Sequence, residues 1–289
     1  MKTEVTIIIP AYNEGKSIGK VIDQVKDTMS HAGVSHEIVV VDDGSTDGTT
    51  AAIVNEKGVK LIQHPYNKGY GAALKTGVRN AEGEIVLFID GDEQQKPGDI
   101  PGLLEFMDKY DMVIGWRTGA SKIPIFRKLG KLILGSLANY LAGWKIPDLN
   151  SGFRAIKKEI VLKYMAILPD TFSFTTTITL AAIKEGYNLK YVPIETGERV
   201  GSSKIKFFRD GFRFVMLILR MIVLFEPMKV FLPVSLVLFL GGFGYLVYNL
   251  IIALNVPDTS ILLIVSSLIV FFFGLLADQI SLILMKKKE

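Results

Sequence analysis

The sequence predicts an α/β domain built on a parallel sheet, followed by interfacial amphipathic helices and a two-helix transmembrane hairpin. Three observations predict it. Short β-rich runs alternate with amphipathic helical patterns through the N-terminal part of the chain, which implies parallel strands joined by right-handed crossovers. Polar clusters stand directly after three of those runs, where an open α/β sheet places its ligands. Two runs without a charged residue, Phe231 to Leu254 and Thr259 to Ala277, lie near the C-terminus, each approaching the ~20 residues a helix needs to cross a bilayer.

The expected strands are Val5 to Ile9, Glu37 to Val41, Val59 to Ile62 and Ile85 to Ile89, with helices over Ser17 to Met29, Thr46 to Asn55 and Tyr70 to Arg79. From Met112 the pattern is more mixed. A strand at Met112 to Gly115 and a helix around Phe126 to Ala142 precede a loop through Asp148 to Arg154; helices around Lys158 to Ala166 and Phe174 to Glu185 and a strand near Leu189 to Val192 follow. Ser202 to Phe225 reads as interfacial helix, with Lys206, Arg209, Arg213 and Arg220 near one face. A third span is the alternative, but Phe214 to Phe225 falls short of the ~17 residues required and contains Arg220. The expected division is a first domain over 1–203, a juxtamembrane segment over 204–228 and a hairpin over 229–289, with spans about 231–254 and 259–283.

The hydrophobic share is 49% and the mean hydropathy +0.35, too apolar for an ordinary soluble protein of 289 residues. The turn Asn255-Val256-Pro257-Asp258 separates the spans, so they form a tight hairpin. Lys229 precedes the first span and Lys286-Lys287-Lys288 follows the second, which places both ends in the cytoplasm by the positive-inside rule. The N-terminus runs straight into a strand with no apolar leader, so the first domain is expected on the same cytoplasmic side of the cell membrane. The chain has no cysteine, which excludes disulfides and thiolate metal sites. Of the basic residues behind the net charge of +4, seven lie between Arg199 and Lys229. The partner they suggest is a bilayer, not nucleic acid. Gly241, Gly242 and Gly244 give the first span a face suited to helix association, and so to a homo-oligomer.

Three polar clusters converge on one sheet edge: Pro10-Ala11-Tyr12-Asn13-Glu14 after the first strand, Asp42 to Gly48 after the second, and Asp90-Gly91-Asp92 after the fourth. Two carboxylates projecting past a strand end suit a divalent cation carrying a diphosphate, although Asp-Gly-Asp is also ordinary turn composition. Asp42 lies where a carboxylate can accept hydrogen bonds from a base edge; the competing role, a helix N-cap, suits Ser45 and Asp47 better. Tyr12 follows its strand in a polar loop and can stack on a base. His31, His36 and His64 are scattered and read as surface or structural.

In order and spacing, Ile9 to Glu14, Val41 to Gly48, Asn67-Lys68-Gly69-Tyr70-Gly71 and Asp90-Gly91-Asp92 resemble the inverting family 2 glycosyltransferases of the GT-A (Rossmann-like) fold. Ser151-Gly152-Phe153-Arg154 and Arg199 to Lys204 resemble the branch acting on polyprenyl phosphates, to which dolichyl-phosphate mannose synthase belongs. The resemblance spans roughly residues 4 to 210 and implies the following roles. Asp42, Tyr12, Pro10 and Glu14 border the base. Asp90 holds the ribose or donor sugar, Gly91 stands between the carboxylates, and Asp92 and Gln94 are ligands of Mg²⁺ or Mn²⁺, for which oxygen donors suffice. Arg117 and Arg127 correspond to arginines for the acceptor phosphate; Arg127, near Lys122, Lys128 and Lys131, equally reads as solvated surface. Arg199 and Lys204 reach the donor diphosphate from a loop hinged at Gly201, or attract anionic lipid. The mannose synthases commonly continue Leu-Gln-His-Pro where this chain has Glu93-Gln94-Gln95-Lys96-Pro97, which leaves the sugar open.

The implied reaction is hexosyl transfer from a nucleotide diphosphate sugar, GDP-mannose or UDP-glucose in type, to a polyprenyl or dolichyl phosphate at the cytoplasmic membrane face. A phosphate monoester with second pKa ~6 attacks without a general base and requires cationic orientation instead. Two alternatives stand beside it: a processive polysaccharide synthase, whose usual Gln-x-x-Arg-Trp run and additional spans are not seen here, and a catalytically silent membrane scaffold that senses a nucleotide sugar.

Overall fold

A computed structural model describes residues 3–118, 146–195, 223 and 226–286. The expected helix around 126–142, most of the interfacial segment, and Arg127, Arg199 and Lys204 lie outside them. The described residues up to 195 belong to one compact unit, the hairpin to another.

The first unit is built on strands β1 (Val5–Ala11), β2 (His36–Asp42), β3 (Val59–Gln63), β4 (Ile85–Phe88), β5 (Met112–Arg117), β6 (Arg154–Lys157) and β7 (Leu189–Ile194), in sheet order β3-β2-β1-β4-β6-β5-β7. The pairings β3/β2, β2/β1, β1/β4 and β5/β7 are parallel, as the alternating pattern predicts. The sheet is nevertheless mixed, because β6 runs antiparallel to both β4 and β5. This corrects the loop expected through Arg154. Four residues beginning with an arginine carry little strand signal; their strand state comes from pairing with β4 and β5, which bury Arg154, Ala155 and Ile156 completely.

The helices of this unit are α1 (Ile18–Ala32), α2 (Thr49–Val54), α3 (Tyr70–Arg79), α4 (Ile100–Leu104), α5 (Lys158–Tyr164) and α6 (Phe174–Lys184). On α1 the residues Ile18, Val21, Ile22, Val25 and Met29 recur at helical spacing and pack on Ile7, Ile9 and Val40 of the sheet. Burying each such side chain stabilises the fold by about 1.5–3 kcal/mol. The helix stops at Gly33, whose φ of 66° suits a residue without Cβ. Helix α2 begins three residues later than expected, at Thr49, because the preceding turn is held elsewhere: Asn13 N–H donates to Ser45 Oγ at 3.0 Å and Thr46 N–H to Asn13 Oδ1 at 2.9 Å. Gly44, at φ 73°, completes that turn, and a Cβ there would stand 2.5 Å from the Tyr66 carbonyl carbon.

The second unit consists of α7 (Met228–Ala253) and α8 (Asp258–Lys286). Twenty-six residues of α7 give about 39 Å at 1.5 Å each, enough to cross a ~30 Å hydrocarbon layer. Gly242 and Gly274 are the close-approach points: a Cβ would meet Leu263 Cβ at 2.8 Å and Phe231 Cβ at 2.5 Å. Elsewhere both helices present Leu, Ile, Val and Phe outward, as at Ile251, which is 76% exposed. Helices apolar all round call for an apolar solvent, so the hairpin suits membrane association.

Candidate active site

The C-terminal ends of β1, β2 and β4 bring the three polar clusters to one edge. Ser17 Oγ at the start of α1 donates to Gly91 O at 2.7 Å and to Glu14 Oε2 at 3.2 Å, joining the first and third clusters. Glu14 N–H donates to Thr49 Oγ1 and Gly15 N–H to Asp47 Oδ2, joining the first and second. Tyr12 projects, 46% exposed, while Pro10 is buried within β1.

The adjacent aspartates of the second cluster point to different neighbours, as strand alternation requires. Asp42 is fully buried and accepts from Ser45 N–H at 2.9 Å and from the Thr50 hydroxyl. Asp43 clamps the β3–α3 connection: it accepts from Lys68 N–H at 2.9 Å and Gly69 N–H at 2.8 Å, and its Oδ1 lies 2.7 Å from His64 Nδ1. His64 is buried, with Thr76 Oγ1 at 2.9 Å from its other nitrogen, and serves the fold.

Around Asp90 the chain builds a tight support. Tyr70 OH donates to Asp90 Oδ1 at 2.9 Å, Gln95 Nε2 donates to Oδ2 at 2.7 Å, and Asp90 N–H donates back to Gln95 Oε1 at 2.9 Å. Gly152 abuts this group so closely that a Cβ would stand 2.7 Å from Tyr70 OH and 3.1 Å from Asp90 Oδ2. Burial and the Asp92 carboxylate push the Asp90 carboxyl up to about 6, against the Tyr70 and Gln95 hydrogen bonds and the Arg117 charge. Tyr70 is raised well above its ordinary value by burial and by Asp90. Asp92 Oδ1 accepts from Gln94 N–H at 3.2 Å, and Glu93 between them takes φ 60°, paired with Lys20. Asp92 and Gln94 remain half-buried.

Arg117, at the end of β5, is held by Asp148 through a fork: Nε to Oδ2 at 2.8 Å and Nη2 to Oδ1 at 3.0 Å. Burial acts to raise the Asp148 carboxyl, but the Arg117 fork and charge hold it below the usual carboxylate range. Behind the loop Asp148 to Gly152 sits Arg154, fully buried, donating to Ser151 O, Thr175 O and Thr179 Oγ1. Phe172, 78% exposed, stacks on Tyr70 at 5.0 Å.

Residues 6–165, more than half the chain, match the model of glycosyl transferase family 2. The chain is a family 2 glycosyltransferase. Residues 226–283 match a second model, the GtrB C-terminal hairpin. This glycosyltransferase is 33% identical over 205 residues to MJ1222, an uncharacterized protein of Methanocaldococcus jannaschii, covering 68% of this chain and 82% of that one. It is 28% identical over 215 residues to a dolichyl-phosphate hexose transferase of Haloferax volcanii, covering 72% and 89%. Its fold matches that of glucosyl-3-phosphoglycerate synthase from Mycobacterium tuberculosis, crystallised with Mn²⁺, UDP-glucose and phosphoglyceric acid, at TM-score 0.63 over 76% of this chain and 79% of that one with 19% identity. The first unit of the glycosyltransferase is thus a GT-A domain.

Of the expected site residues, Pro10, Tyr12, Glu14, Asp42, Asp90, Gly91, Asp92, Gln94 and Arg117 lie at the ends of β1, β2, β4 and β5 in this domain. Sequence reasoning missed Asp43, Tyr70, Gln95, Asp148, Gly152 and Arg154 as supports. One signal was available: a lone arginine inside the apolar run Phe153 to Ile156 marks a buried cation.

Proposed function

We propose that this glycosyltransferase moves a hexose from a nucleotide diphosphate sugar to a polyprenyl or dolichyl phosphate, with inversion, at the cytoplasmic face of the membrane that its hairpin enters. The observation that carries the reading is the pairing of two features in one chain. A GT-A edge holds Asp90, Asp92 and Arg117 together, and the C-terminal hairpin matches that of GtrB. The dolichyl-phosphate hexose transferase among its relatives supports the acceptor class.

Asp92 and Gln94 fit a divalent cation by the chemistry of their donors. Both offer oxygen, the ligand Mg²⁺ and Mn²⁺ prefer, and the Asp90 carboxyl is raised partly by Asp92, a repulsion a cation would relieve. No group of three carboxylate or histidine ligands occurs among the described residues. Held by Asp92 and Gln94, such an ion would offset the charge that builds on the departing nucleoside diphosphate.

The remaining roles belong to the chain. Tyr12 and Asp42 receive the base, with Pro10 and Glu14 beside them; Asp90, fixed by Tyr70 and Gln95, orients the ribose or sugar. Arg117, with Arg127, holds the acceptor phosphate, while Arg199 and Lys204 meet the donor diphosphate. An oxygen of the lipid phosphate attacks the anomeric carbon as the bond to the diphosphate breaks. No proton has to be removed from the nucleophile, because a phosphate monoester is largely ionised at neutral pH.

The test is nucleoside diphosphate release by the full chain in nanodiscs with Mg²⁺ or Mn²⁺, across GDP-mannose, UDP-glucose and UDP-galactose, with and without undecaprenyl phosphate. The reading expects release from one donor that depends on the lipid phosphate and that Asp92→Ala lowers by about 10²-fold or more. Full metal-dependent transfer by Asp92→Ala would remove the site assignment. Donor breakdown indifferent to lipid phosphate would remove the acceptor.

A further inference from the structure

Arg117 is the cation assigned to the acceptor phosphate, yet a carboxylate already holds it. Asp148 engages its Nε–H and Nη2–H, two of the five N–H groups of a guanidinium. A negative charge beside an anion-binding arginine weakens its attraction for phosphate, so electrostatic attraction alone gives no reason for the pair. Its geometry does. The Asp148 side chain is 13% exposed and that of Arg117 47%, so the carboxylate is the inner partner and the guanidinium the outer one.

Asp148 is also the better anchored of the two. Its Oδ1 accepts from Asn150 N–H at 3.2 Å, and Asn150 Oδ1 accepts from Thr176 Oγ1 at 2.8 Å. Ser151 Oγ donates to the carbonyl of Gly115, two residues before Arg117 on β5, and Arg154 clamps Ser151 O from behind. The arginine is therefore gripped by a turn bolted to its own strand and to α6. Its Nη1 edge has no hydrogen bond among the described residues, and its charge is felt at Asp90.

We propose that Asp148 is a positioning residue: by holding the Nε–Nη2 edge of Arg117 it fixes the direction of the Nη1 edge, which meets the phosphate monoester of the acceptor. This rests on the reading of Arg117 given under Proposed function. Bidentate grip suits the task because a guanidinium held along one edge loses its rotational freedom, whereas a lysine or an unpaired arginine keeps it. The consequence is preorganisation, and its loss affects turnover more than affinity, since Arg117 keeps its charge without its aim.

The experiment is a double-mutant cycle on the full chain in nanodiscs, with undecaprenyl phosphate as acceptor and whichever donor turns over. Asp148→Asn is expected to lower acceptor kcat/KM by about 10- to 100-fold, mainly through kcat, with donor KM unchanged. Asp148→Glu, which keeps the charge, restores part of the loss. Because Asp148 acts through Arg117, Asp148→Asn is expected to add no loss on an Arg117→Ala background. Losses that multiply would overturn the proposal and leave the function of Arg117 standing. Unchanged acceptor use by Arg117→Ala would overturn both. A gain of activity in Asp148→Asn would make the carboxylate a competitor of the phosphate and overturn the positioning role alone. If Asp148→Asn does not fold, Asp148→Glu replaces it in the cycle under the same criterion of non-additivity.

Discussion

Replacing Arg154 by methionine tests whether the buried guanidinium holds the domain together or burdens it. Taking a cation out of water costs several kcal/mol, and apolar replacement of buried ionic groups can be neutral or stabilising. Among the described residues the cation has no hydrogen-bonded carboxylate to offset that cost; its donors go to Ser151 O, Thr175 O and Thr179 Oγ1, with Met112 Sδ at 3.7 Å. The three acceptors would fare differently on its removal. Thr175 O keeps the Thr179 hydroxyl at 2.8 Å, whereas Ser151 O loses both of its Arg154 donors. One orphaned buried carbonyl costs about 1–3 kcal/mol, and each lost hydrogen bond to a charged group about 1.5–3 kcal/mol, before the relief of desolvation is credited. The net expectation is a loss of about 3 kcal/mol, which for a domain of this size lowers the thermal midpoint by roughly 6–12 °C. Intrinsic fluorescence of the full chain in detergent, with Trp116 beside Arg117 as one reporter, measures it. Arg154→Lys should fall between the two, because an ammonium keeps the charge but cannot span the fork. A methionine variant as stable as the wild type would show that the cost of burial matches the bonds, and the anchoring of the 148–152 turn would have to come from Ser151 Oγ and Asn150.

Three further outcomes follow from the same geometry. Gly152→Ala places a Cβ 2.7 Å from Tyr70 OH, so the phenol has to shift from its place against Asp90, and the weakened Tyr70–Asp90 bond should lower turnover by about tenfold, from the ~1.4 kcal/mol each decade represents. Wild-type kcat/KM in this variant would refute the packing. Asp148 is held below its ordinary pKa in the folded chain, so its ion pair stabilises above about pH 4 and that contribution is lost as the pH falls through the lowered value. The stability gap between wild type and Asp148→Asn should therefore stay constant from pH 7 to 5 and close in stronger acid; a gap that widens there would contradict the sign. Deleting residues 226–289 should impair use of long-chain lipid phosphates while nucleotide binding survives, and equal activity on undecaprenyl phosphate after truncation would count against the hairpin's role.

The parts legible in the sequence share a physical cause. β1, β2 and β4 are buried on both faces, so they read as unbroken apolar runs, and α1 carries its stripe at helical spacing because one side alone packs on the sheet. The motif residues stand in polar loops after those runs and were visible for that reason. β6 was not, since its strand state depends on neighbours 40 to 44 residues away in sequence at β5 and 66 to 72 away at β4. The roles of the paired residues were equally hidden. Asp42 and Asp43 have the same composition signal, and Gln94 and Gln95 likewise, yet one Asp closes its own turn while the other clamps Gly69, and Gln95 rather than Gln94 carries Asp90.

The support around the site explains why its exposed residues can be few. Asp90 owes its place to Tyr70 on α3, Gln95 in the following loop and the bare face of Gly152, and the first and last of these segments are fixed in turn by Asp43 and by Arg154. Arg117 owes its direction to Asp148 on the same turn as Gly152. The donor-side carboxylate and the acceptor-side arginine are therefore tied to one short segment, 148–154, and a change that moves the whole segment, as loss of its Arg154 anchor would, should reach both. Substitutions confined to Asp43 or His64 should act on Asp90 through the Gly69–Tyr70 step and leave the Arg117 fork intact. Donor and acceptor kinetics measured on His64→Ala and Arg154→Lys would separate these routes: the first should shift donor parameters alone, the second both, and identical profiles would mean the two halves of the site are not held by separate anchors.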